Sequence, residues 1–349
     1  MKNNKHKLLY FCLMALFIII ASCSEKSGTE PVIDDEKALA PSHFPPVPFP
    51  DDNPYNAAKA ELGRYLFYEP LLSKDGSIAS CSHCMQQEAS FANHKDIPSG
   101  YGGQLESRNT MPLVNAAYRP NLMWDGRGTR IENNAYRSIF LSYIFGADTN
   151  EVNERLKKHS FYPKMFKEAF GENSVPSSFL ASRAIATFVR TLISGNSKYD
   201  RYINGNESAL NESEKRGMEL FFSERTRCSV CHSGFMFTDG KYHNTGTTTH
   251  YFDKGRYNVT KDWMDKGKFI TPTLRNVEVT YPYLHNGEYQ TLEELIHNYD
   301  IGGRDWFNKD TLMRPLYLSS VEKQDLINFL KSLTDTDFLN NKKFSNPFK

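Results

Sequence analysis

The sequence predicts an all-α protein built as two similar domains in tandem, and three observations carry that prediction. A short amphipathic helix leading into a C-x-x-C pair occurs twice along the chain. Apolar residues between the copies recur at helical spacing, as in Phe179 to Ser194, where Ile185, Phe188, Val189 and Leu192 share a face. No stretch alternates apolar and polar residues between hairpin turns. The 349 residues suffice for two domains of ordinary size, each with its own core. Hydrophobic residues at 39% and charged residues at 24% exclude a disordered, collagen-like or multi-span membrane chain. The 42 Lys and Arg against 41 Asp and Glu leave no basic excess, so nucleic acid is not an expected partner.

The first element, residues 1–22, reads as a leader. Lys2, Lys5 and Lys7 precede the apolar run Leu8 to Ile20, which is too short to span a bilayer comfortably but suits a signal-peptide core. It ends in Ile20-Ala21-Ser22-Cys23, which resembles a bacterial lipobox with Cys23 as the lipidated residue. An ordinary secretory leader with an incidental Cys23 is the plainer alternative. Acyl chains on Cys23 would anchor the protein at roughly 0.8 kcal/mol per buried CH₂. Residues 23–50 turn polar and then Pro-rich, through Pro41, Pro45, Pro46, Pro48 and Pro50, and read as an extended tether. The expected location is extracytoplasmic, on a periplasm-facing membrane, where free thiols oxidise unless a cofactor holds them.

The repeat defines the two domains. Glu61-Leu-Gly-Arg-Tyr-Leu-Phe67 leads to Cys81-Ser-His-Cys84, and Lys215-Arg-Gly-Met-Glu-Leu-Phe221 leads to Cys228-Ser-Val-Cys231-His232. An aromatic stretch follows each pair, with Phe91 in the first copy and Phe235 and Phe237 in the second. The expected boundary lies at Asn204-Gly205-Asn206, dividing residues 51–205 from 206–349.

Cys228-x-x-Cys231-His232 is a c-type haem attachment signal. The chemistry needs each of these residues. Two thiols add to the haem vinyl groups, and the next side chain offers an imidazole nitrogen to the iron. A zinc site would want another Cys/His pair at suitable spacing, and none follows closely. A thioredoxin-type redox motif would sit at a strand–helix junction, for which no strand is evident. Haem c is therefore the expected cofactor of the second domain.

Five further motifs appear in order: Leu113-Val-Asn-Ala-Ala, Met123-Trp-Asp-Gly-Arg127, Arg183-Ala-Ile-Ala-Thr-Phe-Val-Arg190, Thr271-Pro-Thr-Leu-Arg-Asn276 and Pro282-Tyr-Leu-His-Asn-Gly287. Together they resemble the bacterial di-haem cytochrome c peroxidase family, which includes the MauG-type enzymes, from about Asp51 to Asp335. The resemblance implies two cytochrome c-like α domains with one haem each. The C-terminal haem would take electrons from a donor, and the N-terminal haem would meet hydrogen peroxide. It further implies Trp124 as a charge relay between the haems, and Asn109, Thr280 and Pro282 as holders of a calcium ion through one side chain and two backbone carbonyls. Oxygen donors of that kind suit a hard cation. Taken alone, Trp124 reads as a core aromatic; its place in Trp-Asp-Gly-Arg is what suggests the relay. Family members also commonly form homodimers.

The resemblance also supplies a second axial ligand. Peroxidases of the family usually place a Met downstream of the His-Asn-Gly motif, and MauG-type members place a Tyr; the matching residue here is Tyr299, with His297 as a nearby competitor. A phenolate is a hard anionic donor that favours ferric and higher oxidation states, whereas a thioether raises the potential.

The first pair departs from the pattern. Met85 follows Cys84 where the second copy has His232, Ile144 occupies the place of the family's distal Glu, Ser138 that of a usual Pro, and Tyr101 that of a distal His in some members. Ile144 cannot exchange a proton. Three readings of this site stand: haem attached through Cys81 and Cys84 with Met85, His83 or His94 as ligand; a Cys81–Cys84 disulfide in a single-haem protein; or a soft metal such as Cu(I) on Cys81, His83, Cys84 and Met85. Two functions compete accordingly. One is a peroxidase-family oxidoreductase that reduces hydrogen peroxide or oxidises a partner protein. The other is a single-haem electron carrier without peroxide chemistry.

Overall fold

The computed structural model describes residues 36–78, 80–141, 144–247 and 252–349. The expected leader, Cys23 and the start of the tether lie outside them. Helices dominate: α1 (Ala57–Tyr68), α2 (Ile131–Phe140), α3 (Thr149–Lys158), α4 (Tyr162–Phe170), α5 (Ser178–Arg190) and α6 (Lys198–Ile203) are followed by α7 (Glu212–Phe221), α8 (Cys228–Cys231), α9 (Tyr257–Thr260), α10 (Leu292–Asp300), α11 (Ser320–Lys331) and α12 (Thr336–Leu339). One antiparallel pair, β1 (Tyr242–His243) and β2 (Phe269–Ile270), is the only sheet among the described residues. None of the described helices is long and apolar enough to cross a membrane.

The helices start where capping chemistry lets them. Asn56 accepts the Lys59 N–H at 3.0 Å ahead of α1, and Ser177 accepts that of Leu180 ahead of α5. Asn211 and Ser319 form capping boxes with Glu214 and Glu322 at the starts of α7 and α11. The expected helix from Phe179 to Ser194 stops at Arg190, and Asn115 then takes both the Ser194 N–H and its carbonyl.

The repeat seen in sequence is a repeat in space. Helix α1 packs on α5 and α7 packs on α11, each pair crossing at a glycine. A Cβ on Gly63 would lie 1.9 Å from the Ala184 carbonyl oxygen and 2.8 Å from the Phe188 Cβ. On Gly217 it would lie 1.9 Å from the Asp325 carbonyl oxygen and 2.9 Å from the Phe329 Cβ. Only a residue without a side chain permits such an approach. The two larger apolar clusters follow the same division. One gathers Leu62, Leu66, Phe67, Phe91, Ile185 and Phe188; the other gathers Phe221, Phe237, Ile296, Leu326, Phe329 and Leu330. Full burial of each such side chain contributes about 1.5–3 kcal/mol.

Buried ion pairs pin the loops to these cores. Arg275, wholly enclosed, makes a bidentate pair with Asp200 at 2.9 and 2.9 Å and donates to the Phe235 carbonyl at 2.6 Å. Burial alone would raise the Asp200 pKa, but the Arg275 guanidinium outweighs it and lowers the pKa. Arg190 holds Glu132 in the same way at 2.7 and 3.0 Å. Two packing features were not apparent in the sequence. The C-terminal tail returns to the first cluster, burying Phe338 there and placing the Phe344 carbonyl on the Tyr68 hydroxyl at 2.7 Å. The later part of the expected tether is packed, with Phe44 and Val47 buried and Phe44 set against Tyr118 and Phe235. Both residues are apolar, and burying them holds the segment against the folded part while it stays without regular secondary structure from Pro45 to Pro50.

The crossings make a direct prediction. Gly63→Ala and Gly217→Ala should each destabilise the fold by about 1–3 kcal/mol through overpacking, measured by denaturant unfolding. Unchanged midpoints would show that the helices are not held at these glycines.

Candidate functional site

Each helix pair stands beside one large cavity. The second cavity, of about 210 Å³, is lined by Cys228, Cys231, His232 and Tyr299. Helix α8 carries the two cysteines, and His232 follows directly, its N–H bonded to the Cys228 carbonyl at 2.9 Å. The His232 Nδ1 lies 3.0 Å from the Phe237 carbonyl oxygen. A carbonyl can only accept, so Nδ1 carries the proton and Nε2 keeps its lone pair, the tautomer a metal-binding imidazole needs. Burial lowers the His232 pKa, which also favours the neutral ring. Helix α10 brings Tyr299 to the same cavity while His297 is exposed and does not line it, so the competitor is set aside. Burial raises the Tyr299 pKa, with the neighbouring Cys228 and Cys231 adding to the effect, so the free side chain is a neutral phenol. Burial likewise pushes the Cys231 thiol up to about 11.

The first cavity, of about 250 Å³, is lined by Cys81, His83, Cys84 and Met85. No disulfide joins Cys81 and Cys84 in this structure, in contrast to one of the three readings of the site. Burial raises the Cys84 pKa to about 11. His83 places Nε2 3.1 Å from the Ser99 carbonyl oxygen. Among the described residues, the donor atoms of Cys81, His83 and Cys84 do not converge as a preformed metal site; the one such cluster is Cys231, Asp239 and His243. His94 does not reach this cavity: it stacks on Tyr281 at 4.1 Å and meets the Val279 carbonyl. Ser138 and Ile144 line the cavity, whereas Tyr101 does not, its ring lying against Gly146.

The two cavities share a wall. Asn109, Thr110 and Trp124 line both. The buried Trp124 donates from Nε1 to the Asn109 carbonyl at 2.9 Å, and Asn109 N–H donates to the His285 carbonyl at 2.7 Å. Asn109, Thr280 and Pro282 all line the second cavity. The Asn109 Nδ2 is spent on the Lys95 and Asp96 carbonyls at 3.0 and 3.2 Å, which leaves its amide oxygen as the atom for a cation.

Several wall residues carried no signal in the sequence. Arg108 bridges Asp125 at 2.7 Å and Asp253 at 2.6 Å; burial works against its charge, but the two carboxylates outweigh it. Its guanidinium lies over Phe269, which stacks on His285 at 3.6 Å. Burial pushes the His285 pKa down to about 4, so this ring is neutral. His243 sits between Asp239 and Asp310 at 2.9 and 2.6 Å on the rim of the second cavity. These partners lie up to 145 positions apart, beyond the reach of spacing arguments.

Both cavities would suit a flat, largely apolar guest tethered by two thiols, and the second adds the His232 imidazole and the Tyr299 phenol. Comparison with known proteins agrees. Residues 57–208 match the di-haem cytochrome c peroxidase family. The chain is 35% identical to the cytochrome-c peroxidase IdrP1 of Pseudomonas sp. (strain SCT), over 95% of this chain and 93% of that relative. It is 32% identical to the methylamine utilization protein MauG of Methylophilus methylotrophus, over 82% of this chain and 85% of that one. Among solved structures, a MauG-like protein associated with microbial copper homeostasis superposes with a TM-score of 0.84 at 31% identity, over 89% of this chain and 99% of the other. The fold, the thiol-lined cavities with their shared tryptophan wall and these similarities make the chain a member of the di-haem cytochrome c peroxidase/MauG family of oxidoreductases.

Proposed function

We propose that the protein is a c-type haem oxidoreductase of two cytochrome c-like domains that uses hydrogen peroxide to oxidise a donor, with a partner protein favoured as the donor. The observation that carries this reading is the convergence of Cys228, Cys231, His232 and Tyr299 on one cavity that shares Trp124 with another. A haem bound in the second cavity would supply redox-active iron able to take up the oxidising power of peroxide.

The chain's own residues set how that power is used. Cys228 and Cys231 would hold a haem covalently, and His232, oriented by the Phe237 carbonyl, would offer it Nε2. Tyr299 offers an anionic oxygen donor once its proton is lost to a metal cation's pull, which favours high oxidation states and hence oxidation of a difficult donor. Trp124 spans the wall between the cavities as an aromatic stepping stone, held in orientation by its bond to Asn109. At the first cavity, Ile144 and Ser138 provide no acid for splitting peroxide, and Ser138 spends its hydroxyl on the Asn134 carbonyl at 3.0 Å. That weakness keeps the single-haem electron carrier as the rival reading.

Three outcomes follow. Haem-loaded protein should show saturable, peroxide-dependent oxidation of an added donor in a stopped-flow assay; no turnover from fully loaded protein would favour the carrier. Tyr299→Phe should change the ferric absorption and magnetic spectra and raise the reduction potential, and unchanged spectra would remove Tyr299 from the iron. Calcium held by Asn109, Thr280 and Pro282 should stabilise the fold by mass action. A chelator should therefore lower the melting temperature of the holoprotein, and Asn109→Ala should abolish that response; insensitivity of the parent protein would exclude the site.

A further inference from the structure

The first cavity is where this chain differs from its own second half. It is as large as the second, about 250 against 210 Å³, although the residue after the second cysteine is Met85 in place of an imidazole. Its walls have not closed in on the missing ligand. Cys81 and Cys84 lie on that wall without a disulfide between them, and Arg127 and Arg137 line the same space, with Arg108 committed to Asp125 and Asp253. Thiols for attachment, an apolar interior and cations for two propionate groups together fit a haem.

The backbone around Met85 leaves no carbonyl waiting for an imidazole. Thr271-Pro-Thr-Leu274-Arg-Asn276 and Thr110-Met-Pro-Leu113-Val-Asn115 correspond in the two halves, each ending in a left-handed Asn that starts a short 3-10 turn. Phe237 and Phe91, both left-handed, follow the two cysteine pairs. In the second half the Phe237 carbonyl accepts the His232 Nδ1–H at 3.0 Å. In the first half the Phe91 carbonyl accepts the Leu113 backbone N–H at 3.2 Å. The acceptor that orients an imidazole in one site is satisfied by backbone in the other, and Met85 leaves nothing unpaired. His83 is the other soft donor on this wall, but it precedes Cys84 and its Nε2 is engaged by the Ser99 carbonyl.

We propose that the first cavity holds a covalently attached haem whose protein ligand is the Met85 thioether, with no ligating side chain supplied by Ser138 or Ile144. Attachment needs no external oxidant: each thiol S–H adds across a vinyl C=C, sulfur bonding one carbon and hydrogen the other. A thioether without a strong partner makes this the higher-potential of the two haems and open to added small ligands. The proposal rests on the family reading above.

The test uses full-length protein matured in a host competent for cytochrome c assembly. Intact mass should show two haems, and peptide mapping should place one on the segment containing Cys81 and Cys84. Met85→Leu, close in volume, should change the spectrum and carbon monoxide binding of one haem only, leaving the signals of the other unchanged. If Met85→Leu instead sheds that haem, Met85→His should restore it with a spectrum shifted toward imidazole ligation. One haem per chain with Cys81 and Cys84 free to alkylate would overturn the proposal, as would two haems with spectra indifferent to both Met85 variants. Absence of haem from the Cys228–Cys231 peptide as well would instead overturn the function proposed above.

Discussion

One hydrogen bond organises the second site. The Phe237 carbonyl takes the Nδ1 proton of His232 and thereby leaves Nε2 as the only free lone pair of that ring. The bond exists because Phe237 adopts a left-handed backbone conformation, with φ at 50°, that is maintained by the packed cluster around it. Phe237 in turn contacts Phe221 and Phe329, the side chains at the α7–α11 crossing. Ring orientation, cavity floor and helix crossing are therefore a single packed unit.

The first half repeats this construction with one change. Gly63 brings α1 onto α5 as Gly217 brings α7 onto α11, and Phe91 sits where Phe237 does. With Met85 in place of an imidazole, the Phe91 carbonyl is taken by the Leu113 N–H. The carbonyl that would face an imidazole here is thus paired with backbone instead. The wall between the halves is densely bonded. Trp124, Asn109 and the Asp125–Arg108–Asp253 clamp tie segments from both halves together, with Phe269 and His285 stacked beneath.

Much of this was legible in the sequence because it is local. The repeated Gly-containing helix and the two cysteine pairs each follow from residues a few places apart, and His232 needs only its neighbours to be read. Tyr299 required the resemblance to point at it, and α10 then brought it to the cavity that holds Cys228. What escaped was non-local. Nothing around Arg108 announces Asp253, nor anything around His285 its stacking on Phe269. Packing also set two placements that no local preference announces: apolar Phe44 and Val47 drew the Pro-rich segment down, and Phe338 carried the C-terminal tail back to the first core. The short β1–β2 pair was missed for a similar reason, since two residues per strand leave no alternation to detect.

Covalent haem at the second cysteine pair underlies every functional step above. The most direct measurement is mass spectrometry of the proteolytic fragment containing Cys228 to His232, from protein matured in a cytochrome-competent host, alongside a pyridine haemochrome spectrum. The expected result is a fragment heavier by one haem and a thioether-type haemochrome, both lost in the double variant Cys228→Ala, Cys231→Ala. Colourless protein whose Cys228 and Cys231 alkylate as free thiols would contradict it.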